Sequence, residues 1–305
     1  TKPADPTKPG YTFNSWQPDG DAPALPSTFP EKNAEYTAQW TANTYKVQFQ
    51  GNGEDSGSMS DQTFTYGQSQ QLSANGFTKT GYTFAGWATS PTGNKVYDNQ
   101  QSVSNLTPNA NATVVLYAVW EIDKYTVTYF VAFVDGDVGG TLTAKVDDSP
   151  IQSGNEVEHG KEVTFTAVPN AGWKVAEWKK DDVAVNGTNG TYTMSVTAGT
   201  TVTVKFYQSE IDDTAPTAWS TLLKVVRNAP ANATIEINGE INATSDSGNN
   251  GEIVINKNLT IKGKKTDGSD TLNAITLSRI FKVETGNTLT LENITLTGGK
   301  ASGTE

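Results

Sequence analysis

The chain has 305 residues, 33 acidic against 22 basic, for a formal net charge of −11. That acidity argues against nucleic acid or an anionic membrane as a partner, because both need a positive field. The absence of cysteine excludes disulfides and thiolate metal sites. No run approaches the ~20 apolar residues of a membrane span, and the modest apolar content of 35% suits thin β modules, about two or more of them, better than one large core.

Residues 1–8 lead into GYTFNSW, which runs from Gly10 to Trp16. A glycine, an aromatic after it and a tryptophan six residues on return as GYTFAGW from Gly81 to Trp87, and as GWKVAEW from Gly172 to Trp178. A second landmark closes each copy: YTAQW ending at Trp40, LYAVW ending at Trp120 and VTVKF ending at Phe206. Two landmarks in the same order, three times over, make an internal repeat. The first copy, residues 1–40, holds only the second half of a repeat: the Gly10 motif, a polar loop over 18–33 and a closing strand over 35–40. Without preceding strands it is expected to be the most weakly held part.

The second copy, 41–121, is complete. Alternation predicts strands over 45–49 and 62–66, the latter with Phe64 and Tyr66 on one face. A helical turn is expected over 68–74, then the GYTFAGW strand, 95–97 and 113–120. Strict alternation puts Tyr82, Phe84 and Gly86 on one face and Thr83, Ala85 and Trp87 on the other. Gly81 sits where the chain turns into its strand and tolerates positive φ. Trp87 and Trp120 are large apolar groups in a module with little else to bury, so the recurring positions are expected to be core anchors rather than an exposed stacking platform. The third copy, 122–208, is longer, with strands expected over 124–130, 141–146, 162–167, 173–178, 190–196 and 201–206.

The pattern YxVxF, TKTGYTFAGW, LYAVW resembles the Listeria–Bacteroides repeat, related to the B-repeat of internalin B. The likeness is full over 45–120 and partial over 9–40, and over 124–207 the chain is similar to the divergent InlB-type repeat. The resemblance implies β-grasp-like modules, each a small mixed sheet crossed by a short helix or loop, set in tandem on bacterial surface proteins. The third copy departs from the pattern at Trp173, where the others have Tyr11 and Tyr82, and at Phe206.

Residues 209–217 read as an acidic, proline-containing linker and domain boundary. From 217 to 230, Trp219, Leu222, Leu223 and Val226 form the apolar stripe of a helix. Thr217 is the candidate N-cap, with Asn228 and Pro230 as the stop. Short strands are predicted over 234–237, 252–255, 258–261, 275–277, 280–283, 288–291 and 294–296. Ile253 recurs as Phe281 and Ile261 as Leu291, a period of roughly 30 residues. A helix followed by strand pairs at that period predicts a capped parallel β-helix, because the first coil needs covering. Residues 218–305 resemble the first coils of pectate-lyase-like right-handed β-helices, and the chain reads as a fragment that continues further.

Candidates for chemistry are sparse. His159 is the single histidine and has no triad or metal partners in view. Asp135 with Asp137, and Asp212 with Asp213, are weak calcium candidates at turns. Asp267, Asp270, Glu284 and Glu292, with Lys262 and Arg279, are the only carboxylates and cations suited to sugar chemistry, and the KGKK stretch at 262–265 reads as a solvated loop. The sequence therefore predicts a mainly β, non-enzymatic protein without cofactor or metal: tandem β-grasp-like repeats followed by a capped right-handed parallel β-helix. It is expected at the bacterial cell surface or outside the cell, as a monomer. Its expected work is display or adhesion toward a protein or glycan on a host or neighbouring cell, without nucleic acid or membrane insertion. The alternative expectation is an accessory module of an extracellular polysaccharide-degrading β-helix enzyme.

Overall fold

The computed structural model describes residues 4–20, 35–133, 136, 138–212 and 216–300. The protein is mainly β, with 52% strand and 4% helix. It divides into two compact units, Thr1–Asp123 and Lys124–Glu305.

In the first unit, β1 (Tyr11–Pro18) and β2 (Tyr36–Ala42) form a two-stranded antiparallel sheet. The second repeat follows with β3 (Thr44–Gln50), β4 (Ser56–Gly57), β5 (Gln62–Thr65), β6 (Gln70–Gln71), β7 (Phe77–Thr78), β8 (Tyr82–Ala88), β9 (Ser102–Val103) and β10 (Thr113–Ile122). Its main sheet has the order β5-β3-β10-β8, with β10 parallel to β3 and antiparallel to β8. Alternation along β3 sends Tyr45, Val47 and Phe49 into a core they share with Phe64, Leu72, Trp87 and Leu116.

Two expected elements fail in this repeat. Residues 68–74 are extended rather than helical: β6 pairs with β9, and buried Leu72 donates its N–H to the Gln101 carbonyl at 3.0 Å. The Gln62 side chain stabilises the extended path, accepting from the Ser73 N–H at 2.8 Å and donating to the Gln71 carbonyl at 2.7 Å. Those are the backbone groups that a helical turn would have needed. Residues 95–97 make a single bridge, between Tyr97 and Trp87, in place of a strand.

The second unit opens with the third repeat: β11 (Lys124–Ala132), β12 (Gly140–Val146), β13 (Ser149–Ile151), β14 (Asn155–Glu158), β15 (Glu162–Pro169), β16 (Trp173–Lys180), β17 (Val183–Val185), β18 (Thr191–Ser195) and β19 (Thr200–Gln208). They form two sheets, β14-β11-β19-β16-β17 and β13-β12-β15-β18. Phe165 from one sheet and Trp178, Val204 and Phe206 from the other share one core. β19 runs parallel to β11 and antiparallel to β16, the same central arrangement as β3, β10 and β8.

Beyond it come β20 (Glu210–Asp212), α1 (Ala218–Asn228), β21 (Ala233–Asn238), β22 (Glu240–Asn242), β23 (Ile253–Ile255), β24 (Leu259–Gly263), β25 (Thr271–Asn273), β26 (Phe281–Val283), β27 (Leu289–Glu292) and β28 (Thr295–Thr297). Their pairing is parallel throughout, in the orders β20-β21-β24-β27, β22-β25-β28 and β23-β26. The sequence period is the register: Ile253 lies opposite Phe281, and Ile261 opposite Leu291.

The linker expected over 209–217 is corrected at its start. Residues 210–212 are the first strand of this parallel stack, with Ile211 buried. Ala176 and Tyr207 of the third repeat belong to the same hydrophobic core as α1, so the third repeat and the parallel strands form one compact body. The strand expected over 275–277 is a turn instead, and β25 lies just before it. Asn273 Oδ1 accepts the Ile275 N–H at 3.0 Å and bends the chain, leaving Ile275 and Thr276 at positive φ despite their branched side chains.

Helix α1 buries Trp219, Leu222, Val225 and Val226, while Leu223 is only half-buried. Thr217 makes no side-chain cap. Asn249, itself buried, does the capping: its Oδ1 accepts the Ser220 N–H at 2.9 Å. At the other end the Lys257 ammonium donates to the Arg227 and Ala229 carbonyls at 2.8 and 3.0 Å, where a cation suits the helix dipole.

Candidate functional site

The repeated motif is built from a turn and a bulge. Tyr11, Tyr82 and Trp173 donate their N–H groups to Lys8, Lys79 and Asn170 at 3.1, 3.1 and 3.0 Å, closing a four-residue turn each time. The glycine at its third position has φ of 79°, 73° and 75° in Gly10, Gly81 and Gly172, the left-handed region a type II turn requires. In the first two copies the lysine ammonium lies over the ring that follows, Lys8 on Tyr11 at 4.0 Å and Lys79 on Tyr82 at 4.4 Å.

Four residues after each glycine the register slips by one, at Asn14, Ala85 and Ala176. This β-bulge overturns the strict alternation expected of GYTFAGW. It brings Phe84 and Trp87 onto the same side, 4.9 Å apart and edge to face, as it does Phe13 and Trp16 at 5.5 Å. The closing tryptophans complete the clusters, Phe84 with Trp120 at 5.7 Å and Phe13 with Trp40 at 5.6 Å. In the third copy Val175, Trp178 and Phe206 take these places.

The anchors are not buried equally. Trp87, Trp178 and Phe206 have no exposed surface, Trp120 is half-buried, and Trp16 and Trp40 are half-buried in their two-stranded sheet. The Trp120 indole donates to the Gly51 carbonyl at 2.8 Å and the Trp178 indole to Asn189 at 2.7 Å. Those of Trp16 and Trp87 are buried without an acceptor among the described residues. Each motif glycine also accepts a hydrogen bond from one residue beyond the closing strand: Asn43, Asp123 and Ser209, at 2.9, 2.8 and 2.7 Å. The next strand begins at the residue after each of these, at Thr44, Lys124 and Glu210. The boundary at 209 is thus the same single-residue joint that follows the other two copies.

Residues considered for chemistry are scattered in structural roles. Asp270 is fully buried and accepts the N–H groups of Lys265 at 2.6 Å and Gly239 at 2.8 Å. Burial alone opposes its charge, but these two donors with the Lys265 ammonium at 3.5 Å hold the carboxyl below its ordinary pKa. Asp267 accepts the Ser269 N–H within its own turn, which lowers its pKa. Arg279 pairs with Glu252 at 2.6 Å, Glu292 lies beside Lys262 in register, and Lys264 pairs with Glu210. His159 stands near Tyr125, with ring centroids 6.0 Å apart. Asp212 accepts from the Asn238 amide at 2.8 Å, whereas Asp135, Asp137 and Asp213 lie outside the described residues. Among the described residues no group of three or more metal-ligating side chains forms.

A cleft of about 550 Å³ lies in the second unit, between the third repeat and the segment that follows α1. Val175, Tyr207 and Lys174 line one side and Asn232 and Thr234 the other. Tyr207 is 5% exposed, and burial raises the pKa of its phenol. Sequence reasoning missed this residue because its place follows the closing anchor, where the other copies have Thr41 and Glu121. That polar-to-aromatic change was the available signal.

Residues 1–43 and 45–119 match the Listeria-Bacteroides repeat domain, and residues 130–210 match the divergent InlB B-repeat domain. The chain therefore carries tandem repeat modules of kinds typical of bacterial surface proteins. One relative, named as a Gly-rich membrane protein of Evansella cellulosilytica, is 27% identical over 182 residues, which cover 57% of this chain and 18% of the relative. A second, named as a membrane protein of the same bacterium, is 26% identical over 188 residues, covering 60% and 24%. The chain thus spans under a quarter of the length of these relatives. No solved structure matches it. Among the described residues no helix is long and apolar enough to cross a membrane.

Proposed function

We propose that the chain is a display segment of a bacterial cell-surface protein: tandem β-grasp-like repeats leading into the first coils of a right-handed parallel β-helix, with adhesion rather than catalysis as its work. The observation that carries this reading is the thrice-repeated turn, bulge and aromatic anchor. The side chains the repeat preserves are spent on packing, and the next strand begins one residue after each closing joint. A module of that kind supplies spacing and presentation, and leaves recognition to its loops and outer faces. The parallel registers at a period near 30 residues support the β-helix assignment for the region after Ser209. The membrane-protein names of the two relatives agree with a place at the envelope.

Antibodies raised against this chain, applied to intact cells of the bacterium that makes it, are expected to label the surface, and the label is expected to vanish after external protease treatment. Labelling that needs permeabilised cells would overturn the reading.

A further inference from the structure

We propose that the cleft beside the third repeat binds a short acidic saccharide, a hydroxyl-rich sugar chain bearing a carboxylate. The inference rests on the display reading for its setting, and names the ligand class that such a segment would present itself to.

The cleft has the volume of a small-molecule site, about 550 Å³, and its two walls come from parts of the chain that share one core. On its inner side the Tyr207 ring is almost wholly buried in that core, yet its hydroxyl makes no hydrogen bond to any described residue. That hydroxyl is not shut off from solvent, so at the cleft it can both donate to and accept from a guest. Thr188, Asn232 and Thr234 add hydroxyl and amide groups around it. Pro169 and Pro230 supply apolar surface of the kind a sugar's CH face covers.

Charge selects among sugars. In a chain with 33 acidic residues the lining holds no carboxylate, and its one cation is Lys174. Two further cations border the region. Lys205, opposite Glu177 in register, shares the outer face of β19 with Tyr207, and Lys257 is held by the carbonyls that lead into Pro230. A carboxylate on the guest would therefore find an ammonium partner and no like charge within the cleft.

The test is an amide-resolved NMR titration of the intact chain with a glucuronate-terminated disaccharide and with its neutral glucose-terminated counterpart. Shifts are expected at Lys174, Thr188, Tyr207 and 231–234, with the acidic sugar binding in the millimolar range or tighter and about tenfold better than the neutral one. Lys174→Gln is expected to abolish that preference, and Tyr207→Phe to weaken both sugars about tenfold while the thermal midpoint of the near-isosteric variant holds. No shifts in the cleft at millimolar sugar, equal affinity for the two sugars, or an unchanged preference in K174Q would each overturn the proposal. A silent titration would leave the surface-labelling outcome standing, so the two readings fail separately.

Discussion

Phe84 and Trp87 lie three residues apart on one strand, and their rings nevertheless meet edge to face at 4.9 Å. An unbroken strand would send them to opposite faces, so the bulge at Ala85 creates the contact. The pair is expected to couple energetically. In a double-mutant cycle of Phe84→Leu and Trp87→Leu, the interaction energy should be about 0.5–1.5 kcal/mol, as for other aromatic pairs. Trp87→Ala alone should cost about 3–5 kcal/mol of the second repeat's stability, because Trp87 has no exposed surface. Denaturant unfolding followed by amide exchange at Val47 and Leu116 would measure both; strictly additive variants would mean the bulge serves another purpose.

Asn249 caps α1 across a long sequence separation. Its amide group donates to the Pro216 carbonyl at 3.1 Å and to Thr244 Oγ1 at 3.0 Å, while its oxygen takes the Ser220 N–H. Asn249→Ala is expected to destabilise the second unit by about 1–2 kcal/mol. Asn249→Asp keeps the acceptor and loses the donors, so it should fall between wild type and alanine. Thr217→Ala, by contrast, should be close to neutral, since Thr217 makes no side-chain cap. A larger loss for T217A than for N249A in thermal unfolding would contradict this assignment.

Much of this architecture was readable in the chain, for a physical reason. Stacked parallel strands repeat their apolar positions in register, so the recurrence of Ile253 as Phe281 and of Ile261 as Leu291 already contained the pairing. The glycine turns were legible because φ near 75° leaves few alternatives to glycine. The bulge was not, since one extra residue in a strand carries no distinctive side chain: it falls on Asn14 in one copy and on the alanines Ala85 and Ala176 in the others, residue types that sit in unbroken strands as well. The turn at Ile275 and Thr276 was hidden behind branched residues that favour strands; the Asn273 side chain and the Leu277 N–H on the Ala274 carbonyl at 2.9 Å hold it. Tyr207 and Ala176 were hidden for a third reason, because nothing local signals that the outer face of β16 and β19 packs against α1.

Asp270 should make the second unit acid-sensitive. Its folded pKa lies below the ordinary carboxylate value, so its charge contributes stability above the unfolded value near 4. That contribution is lost as pH falls through the lower folded value. Asp270→Asn is expected to cost about 1–3 kcal/mol at pH 7, because an amide accepts less strongly and its own N–H groups face backbone donors at Lys265 and Gly239. As pH falls from about 4 through that lower folded value, the gap between variant and wild type should narrow. Parallel stability curves from pH 7 to pH 2 would show that the charge at Asp270 contributes nothing.

The hairpin of β1 and β2 should be the first part of the first unit to open. Phe13, Trp16 and Trp40 occupy the places of Phe84, Trp87 and Trp120, yet Trp16 is half-buried where Trp87 has no exposed surface. A two-stranded sheet is marginal by itself. Its ties to the second repeat are few and mostly polar: the Asn43 amide on the Pro108 carbonyl at 2.7 Å, the Tyr66 N–H on the Asn43 carbonyl at 2.8 Å, and the Tyr11 ring against Tyr66 at 5.7 Å. Local opening follows such sparse apolar contact. Native-state hydrogen exchange is therefore expected to deprotect 11–18 and 36–42 well before 45–49 and 116–120, without loss of signal from the second repeat. Tyr66→Ala should speed exchange in the hairpin further by removing its aromatic contact, while exchange at 116–120 changes less. Equal protection across both sheets would mean that the hairpin and the second repeat fold as one cooperative body.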